Sequence, residues 1–586
     1  MPVSATPTAP TKLVVDFAVE IKTRDGVRLI ADVYRPAGDD KWPVILQRNP
    51  YGRTDEGMGS MVIVDPAWLA RQGYAVIVQD TRGRGESDGV WEGFHQDTDD
   101  GYDTVEWAAS QPWSTGDVGM YGSSGMGITT YKAIAARPPS LRAAVAFISG
   151  PDLEVKSSGG LLQVSFMTWY ALMMAIDTAK RLDSPSATAD LIGRILNGMG
   201  NLQQAWETLP LNSIDGLDDS AVTPHWEEWL SDATESPLHK GVTLSKDPDV
   251  GDVALLQIGG YRDFIGPAQF ALAEDLEDNP KHRFIAGPWT HRGPYSGATG
   301  ARELPDTSTP AGPLGWGPLL AAWFDIHLRG GDGSAYPLGL AWLTGEPVRY
   351  YIEGQDTWAE APSWPPASTA RALHLTSQGD ARSASGNGHL LLTGDGADSG
   401  ADTFHADPHD PFPTCGGALG APFQGPDGIQ DQRAVDGRQD VLVYTSETLQ
   451  NPLTVVGTST VVLHLDSTAP DADILVTLVD VEPDGFAYNV SEGGLRTRYR
   501  EGGTDSWLTP GTPTEITVQL HDTAHTFEPG HKIRIMIAGA NFPQFSRNLH
   551  TKTVPELGSL DEAIAADHTV HHGKLTPSRL IVNEAS

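Results

Sequence analysis

Hydrophobic and polar residues alternate at the start of the chain and then give way to short, unbroken apolar runs. The alternation covers residues 13–21 and 27–33, and Asp25-Gly26 between them is typical of a tight turn. This pattern predicts a β-hairpin. The unbroken runs suit strands that are buried on both faces of a sheet. They lie at residues 43–46, 74–78, 118–121, 143–148, 253–258 and 283–286.

Helix-like segments lie between several of these runs, and strands that alternate with helices predict a mostly parallel sheet covered by helices on both sides. Residues 151–246 interrupt this order with helical periodicity and no clear strand, which indicates a helical insertion. After about residue 351, short alternating runs return, such as residues 441–444 and 460–465, and Asp, Gly and Pro separate them. Many short strands with turn residues between them are typical of a β-sandwich or jelly roll.

Length, charge and cysteine content narrow the class of protein. A chain of 586 residues exceeds the roughly 250 to 300 residues at which a single core stops growing, so two or three domains are expected. The formal net charge of −36 argues against nucleic-acid or anionic-membrane partners, because their phosphate groups would be repelled. Cys415 is a single cysteine and cannot form an intramolecular disulfide. Without a signal-like N-terminus or an apolar stretch of transmembrane length, the expected location is the cytoplasm.

The strongest local motif is the sequence MYGSSGMG at residues 120–127, between an apolar run and a helix-like segment at residues 128–136. A small-residue turn between a strand and a helix is the setting of the nucleophile elbow in α/β-hydrolases, which makes Ser124 the candidate nucleophile. The usual pattern is Gly-x-Ser-x-Gly, whereas here Met126 precedes the second glycine, Gly127. The same turn could instead cradle a phosphate group, but no Gly-Lys-Ser/Thr sequence is present.

A serine hydroxyl needs a base to become nucleophilic, and the base needs a carboxylate to orient it. In this fold the chain order is serine, acid, histidine, and each residue follows the carboxyl end of a strand. His291 follows the run at residues 283–286, and Asp263 is the only carboxylate in the loop after residues 253–258. The backbone N–H of Gly125 is one candidate oxyanion donor, and the loop at residues 47–52 should supply a second.

Several spaced motifs are similar to those of one family. They are ILQRNPY at residues 45–51, QDTRG at 79–83, the elbow at Ser124, GPWTH at 287–291 and WFDIHLRG at 323–330, followed by DQR at 431–433, DVEPDG at 480–485, GH at 530–531 and NFP at 541–543. The chain resembles the family of bacterial cocaine esterase, which includes the Xaa-Pro dipeptidyl-peptidases and the α-amino acid ester hydrolases. The resemblance extends over nearly the whole chain.

This resemblance implies a catalytic triad of Ser124, Asp263 and His291. It also implies an oxyanion hole formed by the Tyr51 hydroxyl and the Gly125 N–H. The family's acid loop usually reads Trp-Tyr-Asp, whereas this chain reads Tyr-Arg-Asp at residues 261–263, with the aspartate one position late.

The resemblance and the hydrophobic pattern predict the same architecture. The fold class is α/β: an α/β-hydrolase domain with a helical cap insertion and a C-terminal β jelly-roll domain. The hydrolase domain is expected at residues 13–150 and 247–352, the cap at 151–246 and the jelly roll at 353–586.

The residues around the expected site suggest the kind of acyl group. Aminoacyl ester hydrolases of the family carry extra carboxylates just after the triad acid, whereas Asp263 is followed by Phe264. The cap contributes Phe166 and Trp169, and the resemblance implies that Trp169 lines the acyl pocket. These residues predict a site for an aromatic or bulky apolar acyl group, and the alternative is that the cap aromatics only form its core.

Carboxylates at positions 97, 99 and 100 precede a helix-like segment, and a solvated helix start accounts for them better than an ion site. No metal-ligand spacing is present, and no cofactor is expected. The sequence therefore predicts a serine carboxylesterase that acts on a small-molecule ester, and a homodimer is compatible with this prediction. The alternatives are an amidase, peptidase or acyltransferase with the same triad, or a non-catalytic binding protein.

Overall fold

The structure is a computed structural model. It describes residues 12–54, 63–157, 159–182, 184–220, 222–231, 244–296, 299–305, 308–309, 315–393, 399–419, 425, 427–502 and 505–586. Two sheets organise these residues, one in the N-terminal half of the chain and one in the C-terminal part.

The first sheet is mostly parallel and contains ten strands within the described residues. Their order across the sheet is β1-β2-β4-β3-β5-β6-β7-β8-β9-β10. The strands are β1 (Leu13–Lys22), β2 (Arg28–Pro36), β3 (Trp42–Asn49), β4 (Ala75–Asp80), β5 (Ser114–Ser123), β6 (Leu141–Phe147), β7 (Ala254–Arg262), β8 (His282–Thr290), β9 (Val348–Ile352) and β10 (Thr357–Ala361). Strands β3 to β9 run parallel to one another, whereas β2 pairs antiparallel with β4. Every residue of β4 and β7 is buried. This explains why these strands have unbroken apolar runs in the sequence.

Helices cover both faces of this sheet, as the alternation of strands and helices predicts. The α-helices of the described residues are α1 (Pro66–Arg71), α2 (Asp97–Ala109), α3 (Gly125–Ala135), α4 (Val164–Ala179), α5 (Pro185–Gly200), α6 (Leu202–Glu207), α7 (Trp226–Leu230), α8 (Gly266–Asp275), α9 (Gly293–Ser296), α10 (Gly317–Arg329) and α11 (Pro337–Leu343). Helices α4 to α7 lie between β6 and β7 and form the cap. In the described part of the chain, no helix is both long and apolar enough to cross a membrane.

The cap has its own apolar core, which is continuous with the loops at the end of the first sheet. Met167, Tyr170 and Leu172 of α4 are buried in one cluster with Trp229 of α7 and with Phe264, which follows β7. Because α4 is apolar around most of its circumference, it can pack on the hydrolase loops and on the remaining cap helices at the same time.

The C-terminal part of the chain is mostly β. Its strands are β11 (Ser368–Thr376), β12 (His389–Leu391), β13 (Gly400–Ala406), β14 (Val441–Ser446), β15 (Leu453–Gly457), β16 (Thr460–Ser467), β17 (Asp473–Val481), β18 (Ala487–Arg496), β19 (Thr514–Gln519), β20 (Thr523–Phe527), β21 (Lys532–Ala538), β22 (Ala566–His572) and β23 (Arg579–Ala585). Leu463, Ile535 and Leu580 lie in its main apolar core. The predicted fold class, an α/β-hydrolase domain followed by a β domain, is confirmed.

Two details differ from the sequence-based expectations. The first sheet extends past residue 352 to β10, because β9 and β10 form an antiparallel hairpin. Of the three carboxylates at positions 97, 99 and 100, two are buried and do not form the solvated helix start that the sequence analysis predicts. Helix α2 begins at Asp97, and both Asp97 and Asp100 are buried. Asp97 lies 2.8 Å from the guanidinium of Arg48, and Asp100 lies 2.6 Å from that of Arg82.

Candidate active site

The turn between β5 and α3 has the strained backbone of a nucleophile elbow. Ser124 adopts φ 52° and ψ −127°, a conformation that is costly for a residue with a side chain. A Cβ atom at Gly122 would lie 2.2 Å from the carbonyl oxygen of Met126, and one at Gly127 would lie 2.5 Å from Oγ of Ser149. Both glycines are therefore required by the turn, and the second is needed one position later than in the usual pattern.

A chain of hydrogen bonds links the three candidate triad residues. His291 Nε2 lies 3.0 Å from Ser124 Oγ, and His291 Nδ1 lies 2.8 Å from Asp263 Oδ1. The carboxylate can only accept, so Nδ1 carries the proton and Nε2 is free to accept the serine proton. Asp263 also accepts a hydrogen bond from the backbone N–H of Ile265 at 3.1 Å. The shifted acid loop thus still brings an aspartate to the histidine.

Tyr51 and Gly125 meet beside the candidate nucleophile. The backbone N–H of Gly125 donates to Tyr51 Oη at 3.2 Å, and a Cβ atom at Gly125 would lie 2.4 Å from that oxygen. Burial raises the pKa of Tyr51, so its hydroxyl keeps the proton that an oxyanion donor needs. The Tyr51 backbone N–H donates to Asn49 Oδ1 at 2.8 Å, which fixes the loop after β3. The two predicted oxyanion donors therefore lie side by side.

Arg84 joins the Tyr51 loop to the cap, and the sequence analysis did not identify it. Its Nε donates to the carbonyl oxygen of Pro50 at 2.8 Å, and its Nη1 donates to that of Met174 in α4 at 2.8 Å. Asp177 Oδ2 lies 3.7 Å from Nε. The residue lies just after the motif at residues 79–83, but nothing in its local sequence indicates its partners.

Aromatic rings from the cap and the acid loop pack next to the candidate histidine. The Phe264 ring lies 4.5 Å from the His291 ring and 4.1 Å from that of Phe166, measured between centroids. Trp169 is one ring further away, 6.1 Å from Phe166. Phe166 and Phe264 belong to the buried core of the cap, so they form that core and an apolar wall beside His291 at the same time.

Two further carboxyl groups, those of Asp152 and Glu154, lie near Asp263. Its side chain is fully buried, and within the described residues its Oδ2 atom has no hydrogen-bond partner. Burial, together with the nearby carboxylates of Asp152 and Asp263, raises the pKa of Glu154 to about 8. Glu154 and Phe264 both line a small cavity beside the acid loop.

A second group of serine, histidine and aspartate lies in the β domain but has different geometry. His572 Nε2 lies 3.1 Å from both Ser377 Oγ and Asp402 Oδ2. The other ring nitrogen of His572 has no hydrogen-bond partner in the described part of the chain. Because one nitrogen faces both residues, the carboxylate cannot orient this ring for proton transfer from Ser377. Only the cluster at Ser124 has the arrangement of a triad among the described residues.

Family models match both halves of the chain. The model described as X-Pro dipeptidyl-peptidase (S15 family) matches residues 25–293, which include Ser124, Asp263 and His291. The model described as X-Pro dipeptidyl-peptidase C-terminal non-catalytic domain matches residues 341–581.

Cocaine esterase of Rhodococcus sp. strain MB1 Bresler is 32% identical to the chain, over 96% of this chain and 97% of that protein. The chain belongs to the cocaine esterase family of serine hydrolases. A putative serine esterase of Mycobacterium bovis is 26% identical over 90% of each chain. The solved structure of an α-amino acid ester hydrolase, 23% identical, covers 99% of this chain and superposes with a TM-score of 0.70, which supports the fold. The chain is therefore an enzyme of the serine esterase type.

Proposed function

We propose that the enzyme hydrolyses carboxylic esters of small molecules through an acyl intermediate on Ser124. The observation that carries the proposal is the hydrogen-bond chain from Ser124 Oγ through His291 to Asp263. His291 Nε2 takes the Ser124 proton as Oγ attacks the ester carbonyl carbon, and then gives that proton to the leaving alcohol. A water molecule next attacks the acyl-serine ester, with His291 again as base. The acid is released, and the proton returns to Ser124 Oγ.

The oxyanion of each tetrahedral intermediate would lie between the Tyr51 hydroxyl and the Gly125 N–H. In the free enzyme the N–H points at Tyr51 Oη, at 3.2 Å. When a carbonyl oxygen enters, both groups can donate to it, and the buried setting strengthens the two hydrogen bonds. The chemistry needs no cofactor.

The acyl group is proposed to be aromatic or bulky and apolar. Phe264 and Phe166 support this, because the Phe264 ring packs against His291 and the Phe166 ring packs against Phe264. Trp169 extends the same aromatic wall. The position directly after Asp263 holds Phe264 and not a carboxylate, so this position offers an apolar ring and no charge to the acyl part.

Ester turnover by three matched proteins tests the proposal. Wild type, Ser124→Ala and Asp263→Asn would be compared on acetyl and benzoyl esters of p-nitrophenol. We expect wild type to favour the benzoyl ester and both variants to lose activity on either ester. Phe166→Ala tests the acyl site, with a fall in the benzoyl to acetyl ratio of kcat/KM as the expected result. Preference for the acetyl ester by wild type would contradict the proposed acyl group and leave the triad unaffected.

Peptide hydrolysis is the second candidate, because the matching family models are named for X-Pro dipeptidyl-peptidases. The same triad could cleave an amide bond. Release of p-nitroaniline from dipeptidyl-proline p-nitroanilides, faster than hydrolysis of the benzoyl ester, would favour the peptidase over the esterase.

A further inference from the structure

The residue that precedes the candidate acid is a buried arginine with its own set of partners. Arg262 ends β7, and only 4% of its side chain is exposed. Its Nη1 lies 2.6 Å from Oε1 of Glu353, and its Nη2 lies 3.0 Å from Oε2. Glu353 is fully buried, so this is a bidentate ion pair out of contact with water.

The partners of Arg262 lie on the border of the β domain. Nη2 also donates to the carbonyl oxygens of Asn489 at 3.0 Å and Val490 at 3.2 Å, both in β18. The hydroxyl of Tyr488, in the same strand, donates to Glu353 Oε1 at 2.8 Å. Glu353 follows β9 of the first sheet, so the guanidinium joins the two sheets.

Glu353 is itself held by β20 of the β domain. Its backbone N–H donates to the carbonyl oxygen of Ala524 at 2.9 Å, and its carbonyl oxygen accepts from the N–H of Thr526 at 2.9 Å. The carboxylate that receives Arg262 is therefore fixed on its main chain and on its side chain.

The backbone between Arg262 and Asp263 has little room to adjust. The N–H of Asp263 donates to the carbonyl oxygen of Gly260 at 3.1 Å, which closes a tight turn. A Cβ atom at Gly260 would lie 2.4 Å from the carbonyl oxygen of Trp289. A shift of the Arg262 side chain would thus be transmitted to Asp263, one peptide bond away, and to its 2.8 Å contact with His291.

We propose that Arg262 is a positioning residue for Asp263, and that the β domain sets the acid of the triad through Glu353 and Tyr488. The inference rests on the proposed role of Asp263 in ester hydrolysis. It gives the β domain a part in catalysis, although none of its residues needs to touch the substrate. It also gives a role to the residue that sets this acid loop apart from the family's Trp-Tyr-Asp, because Arg262 stands between Tyr261 and Asp263.

The test is a double-mutant cycle between Arg262→Met and Asp263→Asn. A displacement of the acid by about 1 Å predicts a loss in kcat on the order of 10²-fold for Arg262→Met. If the arginine acts through Asp263, the same substitution in the Asp263→Asn background should cause little additional loss. The acidic limb of the kcat/KM profile should also move to lower pH, because a misplaced carboxylate stabilises the imidazolium of His291 less.

Two further variants separate positioning from general stability. Tyr488→Phe removes a single hydroxyl from the same cluster, and it should give a smaller loss in kcat of the same kind. This variant keeps the inference testable if Arg262→Met does not fold. Asp471→Asn is the matched control, because Asp471 pairs with Arg498 at 2.7 Å within the β domain and both side chains are fully buried. The control should lower the melting temperature and leave the pH profile unchanged.

Equal losses from Arg262→Met in the wild-type and Asp263→Asn backgrounds would overturn the inference, as would an unchanged acidic limb in folded Arg262→Met and Tyr488→Phe enzymes. If Asp263→Asn itself keeps full activity, the proposed triad is at fault instead. The two failures are therefore distinguishable.

Discussion

Ser124 and Asp263 both follow strands of the same sheet, but different parts of the chain hold them in place. The turn at Ser124 is shaped by close neighbours, since Gly122 and Gly127 leave space that other atoms of the elbow and of the next loop occupy. Asp263 follows Arg262, which donates to a carbonyl oxygen 228 residues further along the chain. Local backbone geometry thus positions the proposed nucleophile, whereas contacts between domains are proposed to position the acid.

This difference explains why the elbow can be recognised in the sequence, whereas the ion pair beside the acid cannot. A strained turn needs small residues at fixed spacing, so its pattern can be recognised within eight letters. A buried ion pair needs only one arginine and one glutamate, which can stand anywhere in the chain. The elbow should therefore tolerate changes in the β domain, whereas the acid loop should not.

The largest effect is expected when the nucleophile is removed. Ser124→Ala should lower kcat for the ester substrate by a factor on the order of 10⁶, because Ser124 supplies the hydroxyl that is aligned with His291. The measurement is steady-state hydrolysis of the benzoyl ester, with circular dichroism to verify the fold. Ser377→Ala is the control, and it should leave the rate unchanged. A loss of the same size in the control would place the chemistry in the β domain.

Removal of the acid should cost less than removal of the nucleophile. Asp263→Asn keeps the size of the side chain but no longer favours the productive tautomer of His291, and a fall in kcat on the order of 10⁴-fold is expected. The same ester assay measures it. A loss smaller than tenfold would mean that Asp263 is not the acid of the triad and would remove the contrast between the two regions.

Much of the hydrolase domain could be predicted from the sequence, because its signals are local. The apolar run at residues 118–121 lies within β5, Ser114–Ser123, and the segment at 128–136 largely overlaps α3, Gly125–Ala135. Periodicity and the elbow were sufficient to locate both elements. The candidate site then follows from the rule that catalytic loops come after the strands.

Pairing over long distances could not be predicted in the same way. The alternating runs at residues 441–444 and 460–465 do fall in β14 and β16. However, β11 pairs with β23, Ser368 with Ala585, and no local pattern specifies that register. The burial of Asp97 in α2 was missed for the same reason, because its partner Arg48 lies in β3, 49 residues earlier in the chain. The ion pair of Arg262 with Glu353 is a further example, because 91 residues separate the two partners in the chain.

The oxyanion tyrosine should have an intermediate effect. Tyr51→Phe removes one of two proposed donors, and a loss in kcat of about 10² to 10³-fold is expected with little change in KM. Thermal unfolding should be nearly unaffected, because the ring still packs edge-on against Tyr170. An unchanged kcat would mean that the Gly125 N–H has a different partner in the oxyanion hole.

The smallest effect concerns the charge around the acid. The pKa of Glu154 is raised from 4.5 to about 8 in the folded protein, so between these values the native state binds a proton that the unfolded chain has lost. Stability should therefore fall as the pH rises through this window. Glu154→Gln should remove that part of the fall, measured as urea midpoints at about pH 5 and pH 8. The same pH dependence in both proteins would show that burial beside the acid loop does not raise the pKa of Glu154.

The central claim is that Ser124 is the nucleophile of an ester hydrolase, and covalent labelling tests it most directly. Wild type and Ser124→Ala would be incubated with a serine-directed organophosphonate, digested, and mapped by mass spectrometry. The account predicts one adduct, on the peptide that contains Ser124, formed together with complete inactivation and absent from the variant. Inactivation with the label on Ser377 or on any other serine, or no labelling of an active enzyme, would contradict it.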